Sequence, residues 1–169
     1  GKEHFKPIVV TNIDLIDFGK VNKQFSHALG DVAIQQYSQQ ALALLKDNHI
    51  DATLYRPGGD EFVLVTHDVS QAEAAMRLLQ NIRVVFRDNP AGETFTNALG
   101  QVVHKPDVLV YTDPERLADD HRRYHDGGRP GADVSRDLIV WPSMGGVTTR
   151  YGETMTQLAQ RADIAMYAN

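Results

Sequence analysis

The sequence of 169 residues contains no cysteine, which excludes disulfide bonds and cysteine-ligated metal sites. This absence fits a reducing compartment, and we expect the chain to be cytoplasmic. No apolar run approaches the length of a membrane span and no signal peptide is visible, so no membrane contact is expected within this chain. Positive charge is also scarce. With 17 Lys and Arg against 22 Asp and Glu, the net charge of −5 gives no general attraction to nucleic acid.

The composition that remains is ordinary for a folded domain, with 42% hydrophobic and 23% charged residues. A chain of 169 residues is long enough for one domain with its own core. We therefore expect residues 1–169 to form a single domain. The sequence opens with Gly1 rather than Met and stops at Asn169 inside a helix-like pattern. We expect it to be a piece of a longer protein whose other domains, and any membrane anchor, lie outside it.

Hydrophobic periodicity predicts an α/β fold with helices packed on a β-sheet. Strands are predicted over residues 8–16, 52–55, 62–65 and 138–149. Helices are predicted over residues 31–48, 70–89 and 153–169, with a break at Gly30 and Asp31. Asp31 and Ser70 are the expected N-caps of the first two helices, because short polar side chains bond the free amides of a first turn.

Residues from about 90 to 137 differ from the rest of the chain. They hold four of the seven prolines and several glycines, with one possible strand at 107–112 and one possible short helix at 113–125. We expect an elaborated insertion before the last long strand rather than a second core. His121 and His125 stand at a spacing that can bind zinc, but a solvated polar helix face is the favoured interpretation.

The stretch "YRPGGDEFVLV" (55–65) combines a turn with acids that a plain hairpin does not need. Gly58 and Gly59 permit positive φ and leave no Cβ between the backbone and a ligand. Asp60 and Glu61 follow directly, and Asp14 ends the first strand. Neighbouring strands would bring Asp14 and Asp60 together as an oxygen-rich Mg²⁺ site. The alternatives are a solvated acidic pair after the turn, and an Asp14 that pairs with a lysine.

Four stretches together resemble a known family. "GGDEF" (58–62) is the namesake signature of the GGDEF domain, the catalytic domain of diguanylate cyclases. Residues 12–31 resemble the family's DxDxFKxxND…GHxxGD segment, residues 143–149 its SxGxA strand, and residues 158–167 its LxxADxAMY helix. The resemblance covers nearly all of the chain except the insertion. It implies a central, mostly antiparallel β-sheet flanked by helices, as in nucleotide cyclases and polymerase palm domains.

The resemblance also implies a set of metal and catalytic residues. Asp14, the carbonyl of Leu15, Asp60 and Glu61 would hold Mg²⁺, with Mn²⁺ as a possible substitute. Asp60 and Glu61 would in addition help to activate a 3′-hydroxyl. The turn formed by Gly58 and Gly59 would pass beside the nucleotide.

Substrate selection is assigned by the resemblance to Asn22 and Asp31, which match guanine-contacting positions. A carboxylate can accept from both N1–H and N2–H₂ of guanine, whereas adenine lacks that donor pair, so Asp31 favours GTP over ATP. The competing interpretation is that Asp31 only caps a helix. Backbone amides near Phe18 are candidates for phosphate contacts.

The sequence departs from the family pattern at five positions near these residues. The departures are Ile16, Gly19, Lys23, Ser26 and Pro57. None removes an acidic or amide residue named above, but phosphate placement is open to change.

Residues 49–52 lack the RxxD motif of the family's inhibitory product site, so product inhibition by that route is not expected.

The predicted reaction is the condensation of two GTP into cyclic di-GMP with release of two pyrophosphates. Since each domain would bind one GTP, turnover requires a homodimer. Two alternatives stay open: a degenerate GTP-binding domain that regulates an attached or partner domain, and a cyclase with another product. Asp31 argues against the use of ATP in the latter.

Overall fold

The computed structural model describes residues 1–125 and 137–167, and of residues 124 and 125 it describes the backbone alone. Eight strands are described: β1 Val9–Ile16, β2 Ala52–Gly58, β3 Glu61–Thr66, β4 Arg83–Arg87, β5 Thr94–Thr96, β6 Val102–His104, β7 Asp107–Tyr111 and β8 Leu138–Thr148. Five α-helices are described: α1 Phe18–Gln24, α2 His27–Asp47, α3 Ala72–Gln80, α4 Pro114–His125 and α5 Met155–Tyr167. Within these residues, no helix is both long and apolar enough to cross a membrane.

The main sheet has the strand order β2-β3-β1-β8-β4-β7, and β5 and β6 form a separate hairpin. The pairings β1–β3, β2–β3, β4–β7 and β4–β8 are all antiparallel. The predicted fold class, a mostly antiparallel sheet flanked by helices, is confirmed. The chain divides into two compact units, and β8 contributes residues to both.

The first unit contains Gly1–Leu15, Ala41–Gln80 and Pro142–Asn169. Along β1, buried residues alternate with half-buried ones, so Ile13 and Leu15 enter the core while Asp14 faces the other side of the sheet. The register places Asp14 opposite Glu61. The alternation of β1 therefore directs Asp14 away from the core, and the register sets it beside Glu61 of β3.

The contact of α5 with β8 depends on Gly145. A Cβ built on this glycine would lie 1.9 Å from the backbone nitrogen of Met166, which cannot yield without moving the helix. Leu158, Ala162 and Met166 form the buried side of α5. Ile164 is 69% exposed, because it lies on the opposite face of the helix.

The second unit contains Ile16–Gln40 and Asn81–Trp141. Its strand β4 is almost wholly buried, between β7 and the first residues of β8. Arg87 ends this strand with its side chain only 2% exposed, and its Nη2 lies 2.9 Å from Oδ2 of Asp137. The buried guanidinium is thus paired with a buried carboxylate, which avoids the cost of an isolated charge.

The segment at 90–137 contributes regular elements where they are described. The predicted strand at 107–112 corresponds to β7, and the predicted helix at 113–125 corresponds to α4. Strand β7 pairs with β4 at the end of the main sheet. Residues 126–136 of this segment, and residues 168 and 169 of the last predicted helix, lie outside the described residues.

The prediction of one helix over 70–89 is wrong. Asp68 rather than Ser70 is the N-cap here, accepting from the Ser70 amide at 3.0 Å, and a short 3-10 turn at Val69–Gln71 leads into α3. Helix α3 ends at Gln80, and Arg83–Arg87 form β4. Ile82 and Val85 are spaced as on a helix face, but the run is rich in β-branched residues and is buried on both sides of a sheet.

The predicted start of the second helix is also corrected. Helix α2 begins at His27, so Gly30 and Asp31 lie inside it rather than at a break. The hydroxyl of Ser26 accepts a hydrogen bond from the Leu29 amide at 3.1 Å. Ser26, not Asp31, therefore caps α2. The exposed carboxylate of Asp31 has no capping role in this arrangement.

Candidate active site

The acidic hairpin tip is set by a two-residue turn. Gly58 pairs with Glu61, so Gly59 and Asp60 form the turn rather than Gly58 and Gly59. Gly59 has a φ of 55°, which glycine adopts without strain, and its carbonyl accepts from Nε of Arg56 at 2.9 Å. A Cβ at Gly58 or Gly59 would meet no other atom within 4 Å, so this side of the turn is open.

The turn is fastened to the end of β1. The Leu15 amide donates to the Asp60 carbonyl at 3.0 Å, and Asp14 lies opposite Glu61 in the strand register. The structure thus brings together Asp14, Leu15, Asp60 and Glu61. For Asp14 and Asp60 the sequence predicts this proximity from neighbouring strands.

The carboxylates of this region influence one another. Partial burial raises the pKa of Asp14, and the negative charges of Asp60, Glu61 and Asp163 raise it further. Asp163 projects from α5 and accepts a hydrogen bond from Nδ2 of Asn12 at 2.7 Å. The site is therefore strongly electronegative, and a cation is the species that would relieve this repulsion.

Asp163 was missed as a site residue by the sequence reasoning. It lies within the segment 158–167 that resembles the family's last helix, which is the signal that could have found it. A groove of about 250 Å³ includes Asn12, Asp14, Glu61, Asp163 and Tyr167 in its lining. The groove lies between the last residues of α5 and the acidic ends of β1 and β3.

The residues present fit a magnesium ion that is shared with a nucleotide. In the part of the chain that the structure describes, no group of three or more acidic or histidine side chains is arranged to hold a metal by itself. Mg²⁺ is usually bound by one or two carboxylates together with substrate phosphates and water, rather than by an all-protein cage. Asp14, Asp60, Glu61 and the Leu15 carbonyl offer the oxygen atoms for such shared coordination.

The predicted substrate residues Phe18, Asn22 and Asp31 belong to the second unit. Helix α1 begins at Phe18, after Asp17 adopts a left-handed conformation with φ of 66°. The ammonium of Lys20 lies 3.3 Å from the carboxylate of Asp17. The side-chain oxygen of Asn22 is buried and has no hydrogen-bond partner, whereas Asp31 is exposed on α2.

Two further positions from the sequence analysis have structural roles. At residues 49–52, the side chain of Gln71 donates to the His49 carbonyl at 3.1 Å and accepts from the Asp51 amide at 2.9 Å. A glutamine thus bridges the loop where an RxxD motif would lie. Nε2 of His121 lies 3.0 Å from Oδ2 of Asp137, and the side chain of His125 lies outside the described residues.

The antiparallel sheet, its flanking helices and the acidic glycine turn define the class of GGDEF-fold domains. The family model described as "Diguanylate cyclase, GGDEF domain" matches residues 2–123. The chain belongs to this family, as the sequence resemblance implies.

The chain is also similar to parts of individual relatives. The chain is 41% identical over 81 residues to cyclic di-GMP phosphodiesterase PdeR of Escherichia coli, a match of 46% of this chain and 12% of that protein. It is 31% identical over 144 residues to an uncharacterised protein of Mycobacterium tuberculosis, a match of 79% of this chain and 22% of the relative. The chain therefore spans a minor part of the curated relatives it matches.

Solved structures show the same fold. The crystal structure of diguanylate cyclase SiaD in complex with its activator SiaC, from Pseudomonas aeruginosa, matches with a TM-score of 0.57 at 21% identity. The match covers 99% of this chain and 47% of that one.

Proposed function

We propose that this domain is a diguanylate cyclase that condenses two GTP into cyclic di-GMP and two pyrophosphates. The observation that supports it most directly is the electronegative tip made by Asp14, Asp60 and Glu61, beside a turn with no Cβ on its open side. The family description and the cyclase named in the matched crystal structure support the same activity.

In this proposal the nucleoside and the phosphates are bound by the residues that the family resemblance assigns to them. Asp31 accepts from the N1–H and N2–H₂ donors of guanine, and Asn22 presents its amide to the same base. The exposed position of Asp31 within α2 favours this role, because Ser26 already caps the helix. Backbone amides near Phe18 donate to the phosphate oxygens.

The acidic residues Asp14, Asp60 and Glu61 then bind the metal and activate the reacting 3′-hydroxyl. Bound Mg²⁺, or Mn²⁺ in its place, would be held by Asp14, Asp60, Glu61 and the Leu15 carbonyl and would offset the charge of the triphosphate. Either Asp60 or Glu61 accepts the proton of the 3′-hydroxyl as its oxygen forms a bond to the α-phosphorus. The bond from that phosphorus to the bridging oxygen breaks, and pyrophosphate leaves. The same step repeated in the opposite direction closes the ring.

The reaction requires two copies of the domain that face each other. Each copy holds one GTP, and the two new phosphodiester bonds are equivalent, so a twofold-symmetric homodimer satisfies both steps. Segments of a longer parent protein would supply stable dimerisation.

The second candidate is a degenerate domain that binds GTP and regulates a phosphodiesterase. The observation that favours it is the match to PdeR, whose name describes a cyclic di-GMP phosphodiesterase. Ile16, Gly19 and Lys23 depart from the family pattern near the predicted phosphate site, and Lys20 is paired with Asp17. These features would weaken catalysis while leaving Asn22 and Asp31 in place.

One assay separates the candidates. The domain, fused to a dimeric coiled coil, is incubated with Mg²⁺ and GTP, with and without ATP, and the products are identified by mass. Cyclic di-GMP is the expected product. Asp60→Ala should lower the rate by about a hundredfold or more, the scale of a lost general base. Asp47→Ala, which removes an exposed acid outside the groove, is the matched control and should retain the rate.

Other outcomes identify the alternatives. GTP binding without product would favour the regulatory domain, and incorporation of adenine into a product would indicate a different cyclase. Full activity in Asp60→Ala would contradict the assignment of the site.

A further inference from the structure

Gly30 lies inside α2, where its backbone meets two predicted substrate residues. A Cβ built on Gly30 would lie 2.0 Å from Oδ1 and 3.1 Å from Cγ of Asn22. It would also lie 3.3 Å from Cε2 of Phe18. The side chain of Asn22 therefore occupies the space that any other residue at position 30 would fill.

No hydrogen bond fixes the enclosed end of Asn22. Its Oδ1 is buried and has no hydrogen-bond partner among the described residues. Buried amide oxygens are usually hydrogen-bonded. Because Oδ1 of Asn22 is not, the orientation of this side chain is maintained by the shape of the space around it. The surface that supplies the shape is the bare backbone of α2 at Gly30.

We propose that Gly30 is a positioning residue of the guanine subsite, because its missing side chain lets Asn22 lie against α2 and present its amide to the base. This inference rests on the proposed function, in which Asn22 contacts guanine. Gly30 itself touches no substrate atom and acts through Asn22.

A Cβ at position 30 would clash with side-chain atoms and not with backbone, so Gly30→Ala can test a positioning role without unfolding the domain. The atoms in the way belong to the end of a rotatable side chain, so Gly30→Ala can be accommodated by a turn of Asn22. Phe18 needs to yield by only a few tenths of an ångström. Alanine also favours a helix interior over glycine. The substitution should leave the fold at least as stable while it displaces the amide of Asn22.

The experiment is a double-mutant cycle on nucleotide binding. Gly30→Ala, Asn22→Ala and the double variant are titrated with α,β-methylene-GTP and Mg²⁺ by calorimetry, and each is melted thermally. Either single substitution should weaken binding about tenfold, the scale of one lost hydrogen bond. The double variant should bind no more weakly than Asn22→Ala. Gln39→Ala, an exposed substitution later in α2, is the control and should bind like the wild type.

Each remaining outcome counts against the inference. Wild-type affinity in Gly30→Ala overturns it, and losses that add in the double variant show that Gly30 does not act through Asn22. An unfolding temperature for Gly30→Ala below that of the wild type contradicts the expected accommodation and assigns Gly30 a packing role. Absence of binding by the wild type would overturn the proposed function as well, which distinguishes the two failures.

Discussion

At the residue scale, the proposed chemistry needs Asp14 as an ionised carboxylate, but its surroundings disfavour that form when no cation is bound. Its place on β1 beside the hairpin tip is what the proposed chemistry needs, yet partial burial and the charges of Asp60, Glu61 and Asp163 disfavour its ionised form. Sites that bind cations commonly accept this cost, because the cation removes it on binding.

The raised pKa of Asp14 predicts how the metal-free domain responds to pH. The contribution of Asp14 to stability is fully present below the pKa that its carboxyl group has in the unfolded chain. It is lost as the pH rises through the higher pKa of the folded domain. Asp14→Asn should therefore melt at a slightly higher temperature than the wild type at neutral pH, with no difference at low pH. The effect should be modest, because Asp14 is only partly buried and solvent screens its charge.

Thermal melts in chelator across this pH range test the prediction. Added Mg²⁺ and α,β-methylene-GTP should reverse the order, stabilising the wild type more than Asp14→Asn. Asp47→Asn serves as the control for removal of an exposed charge. Identical melting of Asp14→Asn and wild type at every pH would argue against the electronegative cluster.

At the scale of elements, the start of α2 separates a capping residue from a binding residue. Ser26→Ala should lower the free energy of unfolding by about 1 kcal/mol, because the Leu29 amide loses its partner. Asp31→Ala should change it by less than about 0.5 kcal/mol, as an exposed substitution away from the cap. Urea denaturation measures both.

The same pair of variants should behave in the opposite order toward nucleotide. Asp31→Ala should lose the preference for GTP over ATP, while Ser26→Ala should keep it. Equal destabilisation by Asp31→Ala and Ser26→Ala would contradict the conclusion that Ser26 alone caps α2, and would support the capping role that the sequence predicts for Asp31.

The packing of α5 on β8 predicts a cost for a single methyl group. Gly145→Ala would place a Cβ 1.9 Å from the backbone nitrogen of Met166, and a helix backbone cannot rotate aside. We expect a loss of about 2 kcal/mol or more in the free energy of unfolding, as for an overpacked core.

Gly19→Ala is the matched control for Gly145→Ala, since a Cβ there meets no other atom within 4 Å. It lies in α1, so its stability should be unchanged or slightly higher. Urea denaturation of the two variants side by side makes the comparison. Equal stability of Gly145→Ala and wild type would contradict the close approach of α5.

Strand β4 shows why the hydrophobic periodicity of a short window could not predict every element. Ile82, Val85 and the residues of α3 continue one helical spacing, so periodicity extended the helix through a strand. What decides the matter is that β7 and β8 pair with β4 on either side. Those partners come from residues 107–111 and 138–140, and a local window does not contain them.

At the scale of the whole molecule, the proposed reaction predicts a dependence on protein concentration. One domain holds one GTP and cannot form both phosphodiester bonds, so the rate per domain should rise with concentration and level off when dimers saturate. Fusion to a dimeric coiled coil should bring the rate to its plateau at low concentration. Measurement of cyclic di-GMP formed against domain concentration tests this.

The same fusion carrying Asp60→Ala is the control for the coiled coil itself and should form product at about a hundredth of the rate or less. A rate per domain that does not change on dilution of the unfused domain would exclude a dimeric catalytic centre.

The sequence by itself was enough for the family, the fold class and the acidic pair on neighbouring strands, because these depend on strand alternation and on the GGDEF signature. Tertiary structure decided the features that depend on distant partners: the strand at Arg83–Arg87, the cap at Ser26 and the carboxylate of Asp163 beside Asp14. The space that Gly30 leaves for Asn22 belongs with them. Periodicity and propensity describe a residue's immediate neighbours in the chain, whereas burial, pairing and charge proximity are set by residues that folding brings together.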